Sequence, residues 1–276
     1  MEPINVMVNG LPGNMSRIVA EHVAADSRFE LIPLSLTGPE ILEMNATVSG
    51  EAVRLVRPDA RDKVIEDLKT STGLFISVDY THPSAVNDNA ELYCRHNLAF
   101  VMGTTGGDRL QLEQTVKDSA TAAVIAPNMA TQIVGLQAMM EFAAKTFPGL
   151  FQGYTLQIRE SHQKGKADTS GTAKAMVIHF NALGIPFEEE NIFKERDPEQ
   201  QKKVWGIPEE ALRGHGWHTY TLNSADNTVR FELTHNVNGR EIYARGTLDA
   251  VAYLNSKLRK GAKGRVYSMI DVLQGK

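Results

Sequence analysis

Two rhythms of apolar positions alternate along the first half of the chain. Largely apolar runs at residues 4–8, 29–36, 74–78, 98–102 and 122–126, with a weaker one at 53–56, predict strands. Between them apolar side chains recur at helical spacing. Met15, Ile18, Val19, His22 and Val23 form one set, Val64, Ile65 and Leu68 follow Pro58-Asp59, Val86, Asn89, Ala90 and Tyr93 follow Pro83-Ser84, and another helix follows Asp108. Strands apolar along their whole length suit a parallel sheet covered on both faces, and strand–helix alternation implies right-handed crossovers. The expected fold is α/β, a doubly wound parallel sheet.

Beyond about residue 130 the rhythm changes. A helix over 131–147 ends at Pro148-Gly149, residues 154–160 form a strand, and a Gly/Lys-rich loop leads into a helix over 172–183. The charged stretch 188–203 reads as a solvated excursion, and 217–222, 228–235 and 241–245 as antiparallel strands turning at Ala225-Asp226-Asn227 and Asn238-Gly239. A last helix spans 247–258. This is a second, α+β domain. The expected domains are 1–128 completed by about 246–276, and 129–245.

Composition narrows the function classes. With 29 Lys and Arg against 33 Asp and Glu, the net charge of −4 argues against a nucleic-acid binder. No apolar run is long enough for a membrane helix. The single cysteine, Cys94, excludes an intramolecular disulfide and a multi-cysteine zinc site. Its helical setting points to structure rather than thiol chemistry. No leader is visible, so the expected setting is cytoplasmic, with a plastid-like organelle open. Scattered His215, His218 and His235 suggest no metal.

Candidate chemistry sits at strand ends. Gly10, Leu11, Pro12, Gly13, Asn14 and Met15 join the first strand to the first helix, where glycines and a helix N-terminus can take a pyrophosphate. The match to G-x-G-x-x-G is partial, so a plain turn stays open. The end of the second strand lacks an acid before Glu40, and the Ser35 and Thr37 hydroxyls can donate to a 2′-phosphate; this leans toward NADPH over NADH. Gly103, Thr104 and Thr105 follow another strand, as do Asp79-Tyr80-Thr81-His82-Pro83 and Ala126, Pro127, Asn128 and Met129. All three end a strand on the side of the Gly10 turn. In the second half, His162, Gln163, Lys166, Ser170, Gly171 and Thr172 combine a near-neutral acid, a cation and a donor-rich helix start apt for a carboxylate. An ordinary helix cap with a surface histidine is the alternative.

The run Glu160, His162, Lys166, Asp168, Ser170, Gly171, Thr172 and Ala173 resembles the signature E-x-H-H-x-x-K-x-D-x-P-S-G-T-A of the 4-hydroxy-tetrahydrodipicolinate (dihydrodipicolinate) reductase family. Gln163 stands for the second His and the Pro before Ser170 is missing, both as in the plant-type branch. Gly10, Gly13, Met15, the Asp79–Pro83 element, Gly103-Thr104-Thr105-Gly106, Ala126–Met129 and Tyr267–Leu273 resemble the family's other motifs, in order. The resemblance implies a Rossmann-like dinucleotide-binding domain with nicotinamide near Gly103–Thr105 and Ala126–Met129. It implies His162 as general acid/base, Lys166 as its cationic partner and proton source, and Gly171 and Thr172 on a substrate carboxylate. A dicarboxylate substrate and a homo-oligomer, tetramer or dimer, follow in the same way. A non-catalytic NAD(P)H sensor, or a dehydrogenase of another small acid, is the alternative.

Overall fold

The computed structural model describes residues 2–275. The chain divides into two compact units, one built from both chain ends (up to Thr131 and from Glu241 on), the other from Gln132–Arg240. The first unit runs β1 (Ile4–Asn9), α1 (Asn14–Ala25), β2 (Phe29–Leu31), β3 (Leu34–Leu36), β4 (Asn45–Val48), β5 (Glu51–Val56), α2 (Arg61–Thr72), β6 (Ile76–Asp79), α3 (Val86–Arg95), β7 (Phe100–Met102), α4 (Arg109–Lys117) and β8 (Ala122–Ile125). The second carries α5 (Thr131–Thr146), which starts at its border, then β9 (Thr155–His162), α6 (Gly171–Ala182), β10 (Phe193–Glu195), α7 (Pro198–Lys203), β11 (His215–Asn223) and β12 (Arg230–Asn238). The chain then re-enters the first unit with α8 (Glu241–Arg259), β13 (Arg265–Tyr267) and α9 (Met269–Gln274).

Six parallel strands in the order β13-β8-β7-β6-β1-β2 form the main sheet. Met7, Val78, Phe100, Val101 and Met102 on its central strands have no exposed surface, as continuous apolar strands predict. The expected single strand 29–36 is broken in two at Pro33, which has no N–H for a ladder. Its second half, β3, pairs with β5 in a separate three-stranded sheet.

The second unit's sheet has the order β10-β9-β11-β12, with β9 and β10 parallel and the other pairs antiparallel. Ile158, Tyr220 and Leu222 pack under Met176, Val177 and Phe180 of α6. The stretch 188–203 is not a bare excursion, since it supplies β10 and α7 and buries Gln201. The expected strand 241–245 is the first turn of α8. A window that short fits both periods, but Ala244, Leu248, Val251 and Leu254 are buried at helical spacing.

Helix α8 lies against the loop after β8. A Cβ on Gly246 would fall 1.7 Å from the Met129 carbonyl oxygen. Helix propensity alone favours Gly→Ala by about 1 kcal/mol. Gly246→Ala is nevertheless expected to lower stability by about 1–3 kcal/mol through overpacking, read by urea denaturation; a stabilised variant would contradict this close approach.

Candidate functional site

In the first unit the strand-end loops are fixed from beneath by buried polar groups. Asp79, at the end of β6, has no exposed surface. Its carboxylate accepts from Thr104 Oγ1 (2.5 Å), Thr81 Oγ1 (2.9 Å), Asn89 Nδ2 (2.9 Å) and Tyr93 Oη (2.7 Å). Burial, with the Asp79 carboxylate beside it, pushes the Tyr93 phenol well above its usual range. Asn9 donates to Ser77 Oγ and Tyr93 Oη and accepts from the Leu36 amide, so the loops after β1, β3, β6 and β7 share one network.

The Gly10 turn takes its shape from that network. Gly10 has φ +101°, and a Cβ there would lie 2.0 Å from the Tyr80 carbonyl oxygen. The Leu11-Pro12 bond is cis. Gly13 precedes α1, and no side chain caps the helix start there. Ser35 and Thr37 answer differently from the sequence expectation. Ser35 Oγ accepts from the Leu11 amide (3.2 Å), Thr37 Oγ1 donates to the Leu11 carbonyl (2.8 Å), and both residues are buried. Both hydroxyls brace the turn; Thr37 spends its one donor on Leu11, and Ser35, which only accepts there, has no exposed surface to offer a phosphate.

Gly103 is also explained locally. A Cβ there would lie 2.4 Å from the Tyr80 ring, whose hydroxyl bonds Thr247 Oγ1 of α8 at 2.7 Å. The flat ring that Gly103 admits on this side is therefore Tyr80's, and burial raises that phenol's pKa. Asn128 accepts from the Ala130 amide, closing the Ala126–Met129 turn.

In the second unit one sheet face changes character along its length. Alternate residues share a face, and register pairs Leu156 with Leu222, Ile158 with Tyr220, Glu160 with His218, and His162 with Gly216, while His218 pairs onward with His235. The apolar rows lie under α6; the next rows are titratable. Glu160 is fully buried, and both its oxygens are engaged, Oε1 by Arg196 Nη2 (2.5 Å) and Oε2 by the Ser170 amide (3.0 Å) at the start of α6. Arg196 also donates to the Lys166 carbonyl (2.8 Å) and the Asp168 carbonyl (3.4 Å). This ion pair thus holds the middle and the end of the loop between β9 and α6.

His162 Nδ1 faces the His215 carbonyl at 3.2 Å, which makes Nδ1 the protonated nitrogen and leaves the buried Nε2 without a protein partner. Gln201 Nε2 donates to the His162 carbonyl (2.7 Å), and Gly216 leaves room for the ring, since a Cβ there would come within 3.0 Å of His162 Cε1. Burial, then Arg196 and Lys166, lower the His162 pKa to about 4, so it is neutral at pH 7 rather than the ordinary imidazole the sequence suggests. Lys166 is half-buried and pairs with the exposed Asp168 at 2.8 Å, a contact weak enough for a stronger anion to displace. Ser170 caps α6 without a side-chain bond, which leaves the first-turn amides free, and the space over Gly171 is open. Gln163 stands in the same loop, its carbonyl accepting from the Lys166 amide.

The sequence does not reveal Arg196, Gln201 and Gly216, and it shows His218 only as a scattered histidine, not as the neighbour of Glu160 and His162 that it is. Arg196 lies in a run of charges that marks no one residue as buried. Glu160, His162 and His218 each bring a ligand atom within 4.8 Å of the others. The carboxylate is already engaged, however, and Arg196 and Lys166 stand beside both imidazoles, so the cluster suits an anion better than a cation.

The comparisons agree along the whole chain. Residues 4–129 match the family model "Dihydrodipicolinate reductase, N-terminus" and residues 133–273 match "Dihydrodipicolinate reductase, C-terminus". The chain is 46% identical over 269 residues to the probable 4-hydroxy-tetrahydrodipicolinate reductase 2, chloroplastic, of Oryza sativa subsp. japonica, covering 98% of this chain and 82% of that one. It is 47% identical to the chloroplastic reductase 2 of Arabidopsis thaliana (98% and 77% covered) and 31% identical to the reductase of Anaeromyxobacter sp. (98% and 97%). A dipicolinate-bound dihydrodipicolinate reductase from Paenisporosarcina sp. TG-14 shares the fold, with TM-score 0.67 at 20% identity over 96% of this chain and 97% of that one.

Removing one partner of the buried pair leaves the other charge stranded. Arg196→Leu is expected to cost about 3–5 kcal/mol, with less than additive loss in the double variant Glu160→Gln/Arg196→Leu; additive losses would mean that the two do not act together. The lowered histidines fix the sign of the pH dependence. His162 and His235, both with folded pKa values of about 4, bind fewer protons folded than unfolded between pH 4 and 6.5. Stability should therefore fall as pH drops through that window, by up to about 1.4 kcal/mol per pH unit for each histidine. Urea midpoints that are flat from pH 7 to 5 would contradict this.

Proposed function

Because the chain belongs to the dihydrodipicolinate reductase family, we propose that it reduces 4-hydroxy-tetrahydrodipicolinate with NAD(P)H, giving tetrahydrodipicolinate, oxidised nicotinamide cofactor and water in diaminopimelate and lysine synthesis. The observation that carries the reading is the pair of cations Lys166 and Arg196 set around the neutral His162 beside the uncapped start of α6, a setting that favours a small dianion.

The first unit suits a dinucleotide, given the uncapped N-terminus of α1 and the close-packed Gly10 turn. Gly10 to Met15 would hold the pyrophosphate, and Gly103, Thr104, Thr105 and Ala126 to Met129 the nicotinamide end. When bound, the cofactor supplies the hydride. NADPH is the preferred form and NADH the second.

The second unit binds the substrate. The amides of Gly171 and Thr172 and the Ser170 hydroxyl take one carboxylate; Lys166, drawn from Asp168, and Gln163 take the other. Two carboxylates offset Arg196 and Lys166 and so favour the imidazolium form of His162. Its Nε2, already aimed away from the backbone, then delivers the proton that completes the reduction, while the His215 carbonyl holds Nδ1–H in place. Exposed Met139, Phe142, Phe147, Leu150 and Phe231 on this unit favour a homo-oligomer. Of the two settings, the chloroplastic relatives favour a plastid-like compartment over the cytoplasm.

Nicotinamide absorbance, followed with enzymatically generated substrate, tests the proposal. Wild type should oxidise NADPH in a substrate-dependent way, and His162→Ala should lose about 10²–10⁴ in kcat. Cofactor binding without oxidation would overturn the enzyme reading, and full kcat in the variant would overturn the acid role.

A further inference from the structure

With Ser35 and Thr37 buried as braces of the Gly10 turn, the end of β3 needs another group to read the ribose end of a dinucleotide. Arg61, the first residue of α2, lies there. Its Nη2 donates to the Thr37 carbonyl at 2.6 Å and its Nη1 to Asn89 Oδ1 at 3.2 Å, while Nε is buried without a partner. Asn89 is in turn held by Asp79 and Thr81, so the guanidinium is braced between the loop after β3 and helix α3. Among the described residues, no carboxylate forms an ion pair with Arg61. Partly buried cations are ordinarily paired. This one stands past the end of β3 and is linked through Asn89 to Asp79 at the carboxyl end of β6, the side on which such folds take the adenosine ribose.

We propose that Arg61 holds the 2′-phosphate of NADPH and sets the preference for it over NADH; the inference rests on the reading of the first unit as the dinucleotide site. The two bonds to Thr37 and Asn89 orient the planar fork and leave further N–H donors for phosphate oxygens. Glu40 acts in opposition. Its carboxylate folds over Gly38 at the same strand end and is exposed. It is free to swing aside for a phosphate and able to accept from a ribose hydroxyl.

Calorimetric binding of adenosine 2′,5′-bisphosphate and of AMP to the full chain separates the possibilities. Wild type should bind the bisphosphate about 10- to 100-fold more tightly than AMP. Arg61→Gln should abolish that difference while leaving AMP affinity within about 3-fold, and Arg61→Lys should restore part of it. Equal wild-type affinity for both probes overturns the Arg61 assignment alone, whatever the variants do. So does parallel loss of both in Arg61→Gln, which marks a structural role. Wild type that binds neither probe, nor NADH, overturns the dinucleotide reading itself.

Discussion

A carboxylate without exposed surface cannot stay charged unless its oxygens are satisfied, and Glu160 meets that condition in one way. Arg196 takes one oxygen and the amide of Ser170, just before α6, the other. Because Arg196 also holds the carbonyls of Lys166 and Asp168, the loop bearing the candidate substrate groups is tied at its middle and at its end to a single buried charge. The arrangement has an electrical consequence. Glu160 is matched by Arg196, so Lys166 adds positive potential beside an imidazole that burial already keeps neutral. The histidine of such a site is neutral at pH 7, with its one ring proton on Nδ1 toward the His215 carbonyl.

The first unit solves a related problem without a cation. Asp79 is equally buried, and its carboxylate is satisfied by hydroxyl, amide and phenol donors. The network reaches Asn9, Leu36 and Thr104, which end different strands. The strand-end loops are thereby held by side chains beneath them. Tyr80, lying on Gly103 and reaching Thr247, extends the same support to α8.

Much of this was legible in the sequence. Apolar strands separated by amphipathic helices marked the parallel sheet, and the Glu160 to Ala173 run marked the segment that carries His162 and Lys166. What escaped depends on tertiary partners. Pro33 splits a strand, but only the fold shows that its second half joins another sheet. Arg196 and Gln201 sit in a polar run whose periodicity does not distinguish buried from solvated positions. Ser35 and Thr37 were recognised as strand-end hydroxyls, yet their donors and acceptors answer to Leu11, a turn partner more than twenty residues away.

On the proposed reading, binding of the dianion raises the His162 pKa and draws a proton from solvent onto Nε2. Calorimetry of dipicolinate binding at pH 6 in buffers of differing ionisation enthalpy, for wild type and His162→Gln, measures this directly. With the His162 pKa at about 4 before binding, wild type should take up a substantial fraction of one proton, and His162→Gln should take up markedly less. Binding with no proton uptake, or with uptake unchanged in the variant, would contradict the account.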